Sequence, residues 1–280
     1  MKTYFSTNRV LATAALGLGV MTVFFACKKD DNNDSNSTSN VVATNKAIAA
    51  IGNESYASAS YGDVFEVGYQ GTASVTDDGR ATQASTEPSQ YYGYQYNVEP
   101  VMGWPKTFTL DFGTRTVGQD GKVRSGKIIV NMPHAFAVPG NQISIEAQGY
   151  VVDGVKIDGM ETLTNNSNLS ALNFNQLIAG SITIGDTTTF TYSSTKTLIV
   201  DTDGFKGLGN AKLVYTKTGD SAMVNITDTL VKNWICPFIA KGKATITLGK
   251  ISGTIDYGDG VCEDSATVVV GNNTKGIKIW

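Results

Sequence analysis

The chain has 280 residues, with 22 Lys and Arg against 25 Asp and Glu, a single histidine (His134) and three cysteines. The basic residues are scattered, which argues against a nucleic-acid surface, and one histidine leaves little for a His-based catalytic triad or a zinc centre. Thr, Gly, Asn and Ser are abundant and hydrophobic residues make up 41%, enough for one large domain or two small ones behind a leader.

Residues 1–26 have the build of a secretory leader: Lys2 and Arg9 first, then an apolar run from Val10 to Ala26. The run is nearly long enough to span a bilayer, so a retained helix is the competing reading. Gly17, Gly19, Thr13 and Thr22 weaken it as a permanent anchor. Cys27 follows at once, and after it Lys28-Lys29-Asp30-Asp31. Phe24-Phe25-Ala26-Cys27 resembles the lipobox of bacterial lipoproteins, in which the cysteine becomes the acylated first residue of the mature chain. Phe24 and Phe25 depart from the usual pattern, whereas Ala26 fits it. One acyl chain binds membranes only marginally, and more than one gives durable attachment. The expected membrane partner is therefore reached through lipid on Cys27. The acidic stretch after it resembles the signal that sends Bacteroidota lipoproteins to the outer face of the outer membrane; a solvated spacer reads the same way.

Residues 27–40 are rich in Asp, Asn and Ser and too poor in apolar side chains to fold alone, which predicts a flexible polar tether. In 41–104, Ala43, Ala47, Ile48 and Ile51 recur at helical spacing, with a second apolar group at Val64, Phe65 and Val67. Gly52-Asn53 and Gly62 interrupt this pattern, so one or two short helices are predicted. Thr72 to Asn97 reads as loop. Its tyrosines, Tyr91, Tyr92, Tyr94 and Tyr96, suit either a strand covering a core or a glycan-binding face, and the former is the plainer reading.

Residues 105–280 alternate strongly. Phe108, Leu110 and Phe112 interleave with polar neighbours; Asp153-Gly154 sits between Val151-Val152 and Val155-Lys156-Ile157; Gly185-Asp186 and Asp203-Gly204 punctuate later runs. This predicts an all-β, antiparallel meander, folded as a sandwich or a curved, partly closed sheet, with a short N-terminal helical segment. With Cys27 lipidated, Cys236 and Cys262 remain. An extracytoplasmic setting permits a disulfide between them, whose loop would stabilise by about 3.5 kcal/mol in the chain-entropy model. Two free thiols or a metal pair are the alternatives.

The run Thr109-Leu110-Asp111-Phe112-Gly113 with Asp120-Gly121-Lys122-Val123-Arg124-Ser125-Gly126-Lys127-Ile128, followed late by Trp234-Ile235-Cys236 and Asp256-Tyr257-Gly258-Asp259-Gly260-Val261-Cys262, resembles a family of Bacteroidota outer-membrane or surface lipoproteins. The resemblance covers Pro105 to Trp280. It implies a β fold, an envelope location and support for the Cys236–Cys262 pairing, and it brings no catalytic residue.

Other chemistry is faint. Arg124-Ser125-Gly126-Lys127 falls short of a phosphate loop, since Ile128 stands where Ser or Thr is needed; Gly121 to Gly126, after a turn at Asp120-Gly121, reads better as a hairpin end, with Lys127 starting a strand. Asp201-Thr202-Asp203-Gly204 and the group Asp256, Asp259, Glu263, Asp264 are partial calcium patterns that Asp-Gly turns also produce. His134, beside Pro133, has no nucleophile motif near it and reads as a surface or strand-end residue. No catalytic, cofactor or metal residue is assigned. The expectation is a lipid-anchored outer-membrane protein with a non-enzymatic role in binding or structure, for a glycan or protein ligand. The alternative is a surface glycan hydrolase with paired carboxylates.

Overall fold

The computed structural model describes residues 35–72, 91–167 and 172–279. Cys27 and the leader lie outside the described residues. One helix, α1 (Ser35–Thr72), precedes fourteen strands: β1 (Gln95–Glu99), β2 (Lys106–Asp111), β3 (Thr116–Val117), β4 (Val123–Met132), β5 (Gln142–Val152), β6 (Val155–Asn165), β7 (Leu172–Ile184), β8 (Thr188–Val200), β9 (Gly204–Tyr215), β10 (Ser221–Asn233), β11 (Lys241–Leu248), β12 (Ile251–Asp259), β13 (Ser265–Val270) and β14 (Asn273–Lys278). All pair antiparallel with their chain neighbours in one open meander, except that β3 pairs β4 outside the main order.

The fold class is the expected one, an antiparallel meander with an N-terminal helix, and it takes the form of a single curved sheet. Inward positions are apolar, as at Phe190, Tyr192, Leu198 and Val200 of β8, and outward positions are polar, as at Thr191, Ser193, Thr195 and Thr197. Asp153 (φ 46°) and Gly154 (φ 85°) form the β5–β6 turn, the conformation an Asp-Gly hairpin needs. Gly159 and Gly180 stand opposite each other on β6 and β7. A Cβ on Gly180 would lie 2.2 Å from Tyr61 Oη, so the bare backbone there lets the α1 tyrosine approach the sheet.

The helix departs from expectation. It is one element of 38 residues, not one or two short pieces, and it begins at Ser35, inside the stretch expected to be tether. It carries no single apolar stripe: Asp63 through Gly68 are all buried. A helix covered on every side lies within a core, and here the sheet supplies the cover. Asp63 reaches β4 and β5, Glu54 reaches β8, Asn53 reaches β9 and Glu66 reaches β10, while Ile51 packs against Gly253 of β12. That packing outweighs the weak helix propensity of Gly52 and Gly62. At Gly68 the closest neighbours are Ile145 and Val130, and at Gly71 the Leu110 side chain. The 41–104 segment is thus the centre of the β domain in its helical part.

Tyr92 and Tyr94 are buried and cover the core, and Tyr96 belongs to β1, so strand rather than loop begins at Gln95. Among the described residues no helix is long and apolar enough to cross a membrane.

Candidate functional site

The polar chemistry of the interior lies between α1 and the sheet, in two clusters. Glu54, Ser58 and Tyr61 recur at spacings of four and three and share one helix face. Asp63 and Glu66 share another.

In the first cluster, Glu54 accepts a hydrogen bond from Tyr192 Oη at 3.3 Å. Lys196 Nζ donates to Ser58 Oγ at 3.1 Å, and Glu161 accepts from Gln176 Nε2 at 2.8 Å. All three ionisable groups are buried. Burial pushes the Glu54 carboxyl up to about 7, against the opposing pull of Lys196 and Tyr192. Burial likewise raises Glu161 to about 8, against Gln176 and Lys196. Lys196 moves the other way, because burial outweighs both carboxylates. Glu54 Oε2 and Glu161 Oε1 find no hydrogen-bond partner among the described residues. The cluster therefore holds protons near neutrality, the property expected of a site with acid–base work.

Beside Lys196 lies a cleft between α1 and β7–β10, bordered by Ser58, Tyr61, Phe65, Gln176, Lys196 and Lys232. Its volume is about 50 Å³. Ligand pockets usually run from about 300 Å³ upward, and this space suits a water or two.

The second cluster is fully paired. Arg124, whose side chain is 0% exposed, binds Asp63 through Nη2 at 2.7 Å and Nε at 3.1 Å, and Asp120 through Nη2 at 2.6 Å and Nη1 at 3.0 Å. Lys122 Nζ reaches Asp63 Oδ1 at 2.8 Å, and Tyr150 Oη donates to Asp63 Oδ2 at 2.7 Å. Burial alone would raise the Asp63 carboxyl; Lys122 and Arg124 reverse this and hold it far below the usual carboxylate range. The guanidinium also lies over the Tyr92 ring, 5.3 Å from its centroid. Nearby, Lys232 Nζ meets Glu66 at 2.5 Å, and Tyr92 Oη donates to the same carboxylate at 3.1 Å.

This arrangement accounts for a motif. Asp120-Gly121 forms the β3–β4 turn, as the hairpin reading requires, although β4 begins at Val123, earlier than Lys127. Asp120, Lys122 and Arg124 then converge on the helix. In the companion stretch, Asp111 bridges Lys127 at 2.9 Å and accepts the Gly113 amide at 2.8 Å, while Phe112 is buried. Gly126 (φ 81°) sits at a bulge against Gly149, whose carbonyl oxygen would be 2.2 Å from an added Cβ.

Other sequence candidates are placed as follows. Cys236 and Cys262 are bonded, with Cα atoms 5.7 Å apart. Asp201 accepts the amides of Asp203 and Gly204 and bridges Lys206 at 2.8 Å, an Asx-type turn that uses the carboxylate a cation would need. Asp256 bridges Lys243, and Asp264 bridges Lys278. His134 is exposed, with its ring 6.4 Å from that of Trp104. Among the described residues no three His, Cys, Asp or Glu side chains gather as a metal site.

The sequence reading missed Glu54, Asp63, Glu66, Glu161 and Lys196. A signal existed: Asp63 and Glu66 stand within the apolar group of Val64, Phe65 and Val67, and Lys196 occupies an inward position of an alternating strand. No protein-family model matches the chain, and neither a curated protein nor a solved structure does.

Proposed function

We propose that this chain is a lipoprotein of the bacterial outer membrane, anchored through Cys27, whose folded domain binds a protein or glycan and catalyses no reaction. The observation that carries the non-enzymatic reading is the use made of the buried charges. Asp63, Glu66, Arg124, Lys122 and Lys232 are spent on fastening α1 to the sheet. The cleft beside the remaining pair is about 50 Å³, too small for a sugar ring to sit between two carboxylates. The anchor rests on the leader and on the Phe24-Phe25-Ala26-Cys27 box.

Metabolic labelling with a radioactive fatty acid tests the anchor: wild type takes up label and Cys27→Ser does not. Protease shaving of intact cells tests the location, and digestion with periplasmic markers intact is the expected result. The hydrolase alternative retains one support, the two proton-holding carboxyls Glu54 and Glu161. Release of sugar by the purified protein, abolished in both Glu54→Gln and Glu161→Gln, would replace the binding reading.

A further inference from the structure

The two ends of the curved sheet differ in kind. At one end the hairpin turns are tight and polar, as at Asp153-Gly154, Gly185-Asp186-Thr187, Gly249-Lys250 and Gly271-Asn272, and the longer β2–β4 connection there exposes one large apolar side chain, Val117. At the other end lie the longer connections β1–β2, β4–β5, β10–β11 and β12–β13. These carry exposed apolar side chains: Val101 at 61%, Met102 at 68%, Val138 at 40%, Ile235 at 95% and Val261 at 60%. The helix is directional between them. Lys46, near its start, pairs with Asp220 in the β9–β10 turn at the polar end. Tyr69, near its finish, stacks on Trp234 and meets Phe136 edge-on in the apolar loops.

These loops are held in shape. Lys106 is buried and donates from Nζ to the carbonyls of Pro100 and Val101, at 2.5 and 3.1 Å, the two residues before Met102. The Cys236–Cys262 bond ties the loop of Ile235 to the loop of Val261. Trp234 Nε1 donates to the Asp201 carbonyl at 3.2 Å. Asn141 donates to the carbonyls of His134 and Ala135, which braces the Val138 loop. Exposed apolar side chains on braced loops lose little entropy when covered. The charge at this end is net acidic: Lys206 and Lys278 of the adjoining strands bridge Asp201 and Asp264, and Asp203 and Glu263 remain in excess. The described residues of its loops contain Asp201, Asp203, Glu263 and Asp264 and neither Lys nor Arg.

We propose that this loop crown is the docking surface of the protein, and that its occupant is a protein presenting an apolar patch ringed by lysine or arginine. Exposed apolar side chains on loops with an excess of acid match that partner. It disfavours an anionic lipid surface, which attracts basic segments. Because α1 begins at the opposite end, a chain arriving from Cys27 meets the domain on the side away from the crown. The inference rests on the binding reading above and names the face and the partner class.

The test is photo-crosslinking in intact cells expressing the full chain, with a photoreactive residue at Ile235, Met102, Val117 or Thr195 in turn. Val117 is exposed outside the crown loops, and Thr195 on the outer sheet face. The expected result is one discrete protein adduct from Ile235 and Met102 and none from the other two sites. Adding Val261→Asp should lower its yield from Ile235 at least tenfold, about 1.4 kcal/mol of binding. The partner, once identified by mass spectrometry and purified, should bind more weakly as salt rises. Adducts from Thr195 or Val117 alone would overturn the crown and spare the binding reading. No adduct at any site would remove both. An adduct of twice the chain's own mass, or insertion of a fluorophore at Met102 into phosphatidylglycerol vesicles, would replace the partner by a second copy or a membrane.

Discussion

The two buried charge clusters draw on the same helix, with Glu54 and Asp63 about two and a half turns apart, yet they do different things to the protein. Around Asp63 every oxygen is matched by a cation or hydroxyl, so the carboxylate is charged at any ordinary pH. Around Glu54 and Glu161 one lysine serves two carboxyls, each with an oxygen left over. The lesson is that burial of charge has no fixed sign: neighbour count decides whether a buried acid is an ion-pair fastener or a proton holder.

The largest effect should come from breaking the second cluster, that of Asp63 and Arg124. Asp63→Ala leaves Arg124 buried with only Asp120 as its carboxylate partner, and should cost about 3–5 kcal/mol in denaturant unfolding. A similar loss for Glu161→Ala would erase the distinction between the clusters.

Next comes the disulfide, which lies outside both clusters and calibrates them. Cys236→Ala with Cys262→Ala opens a loop whose ends are 26 residues apart. The expected loss is about 3.5 kcal/mol in the chain-entropy model, read by the same unfolding assay.

The third prediction concerns pH. Glu54 and Glu161 bind protons more tightly folded than unfolded, so their contribution is full below about 4.5, the unfolded value, and is lost as pH rises through about 7 and about 8. Asp63 works in the opposite sense: its stabilisation is present above its unfolded value of 3.8 and is lost as pH falls into strong acid. Stability should therefore fall between about pH 5 and pH 8, and the double substitution Glu54→Gln, Glu161→Gln should flatten that slope. Lys196 gives stability back as it deprotonates, so the informative quantity is the difference between wild type and the double variant. An unchanged slope would mean that neither carboxyl holds its proton.

The smallest effect should be that of Glu161→Gln alone at pH 5. It mimics the protonated acid, and Gln176 can turn its amide to match, so the change should stay within about 1 kcal/mol. A larger loss would show that Glu161 is ionised even there and belongs with Asp63.

Much of the sheet was legible in the residues. The alternation of Phe108, Leu110 and Phe112, and the Asp153-Gly154 turn, are local signals with periods of two and a defined dihedral demand, and both appear where expected. The turn at Asp120-Gly121 is also where expected, although the strand after it starts at Val123 and not at Lys127. The partners within the buried clusters were not legible, because Arg124 and Asp63 are 61 residues apart and spacing says nothing about contact over such a distance. The aromatic run was ambiguous for a similar reason: Tyr92 and Tyr94 are core residues because α1 lies beneath them.

The sequence by itself determined most of the strands, their tight turns and the antiparallel class, since each depends on neighbours within a few residues; β1, at Gln95–Glu99, was the exception. Tertiary structure alone decided that α1 runs unbroken through its glycines and that Asp63 is charged while Glu54 holds a proton. It also decided that Ile235 and Met102 share one end of the molecule. Each of those depends on which distant side chains the curved sheet brings around the helix, and on how much water it leaves there.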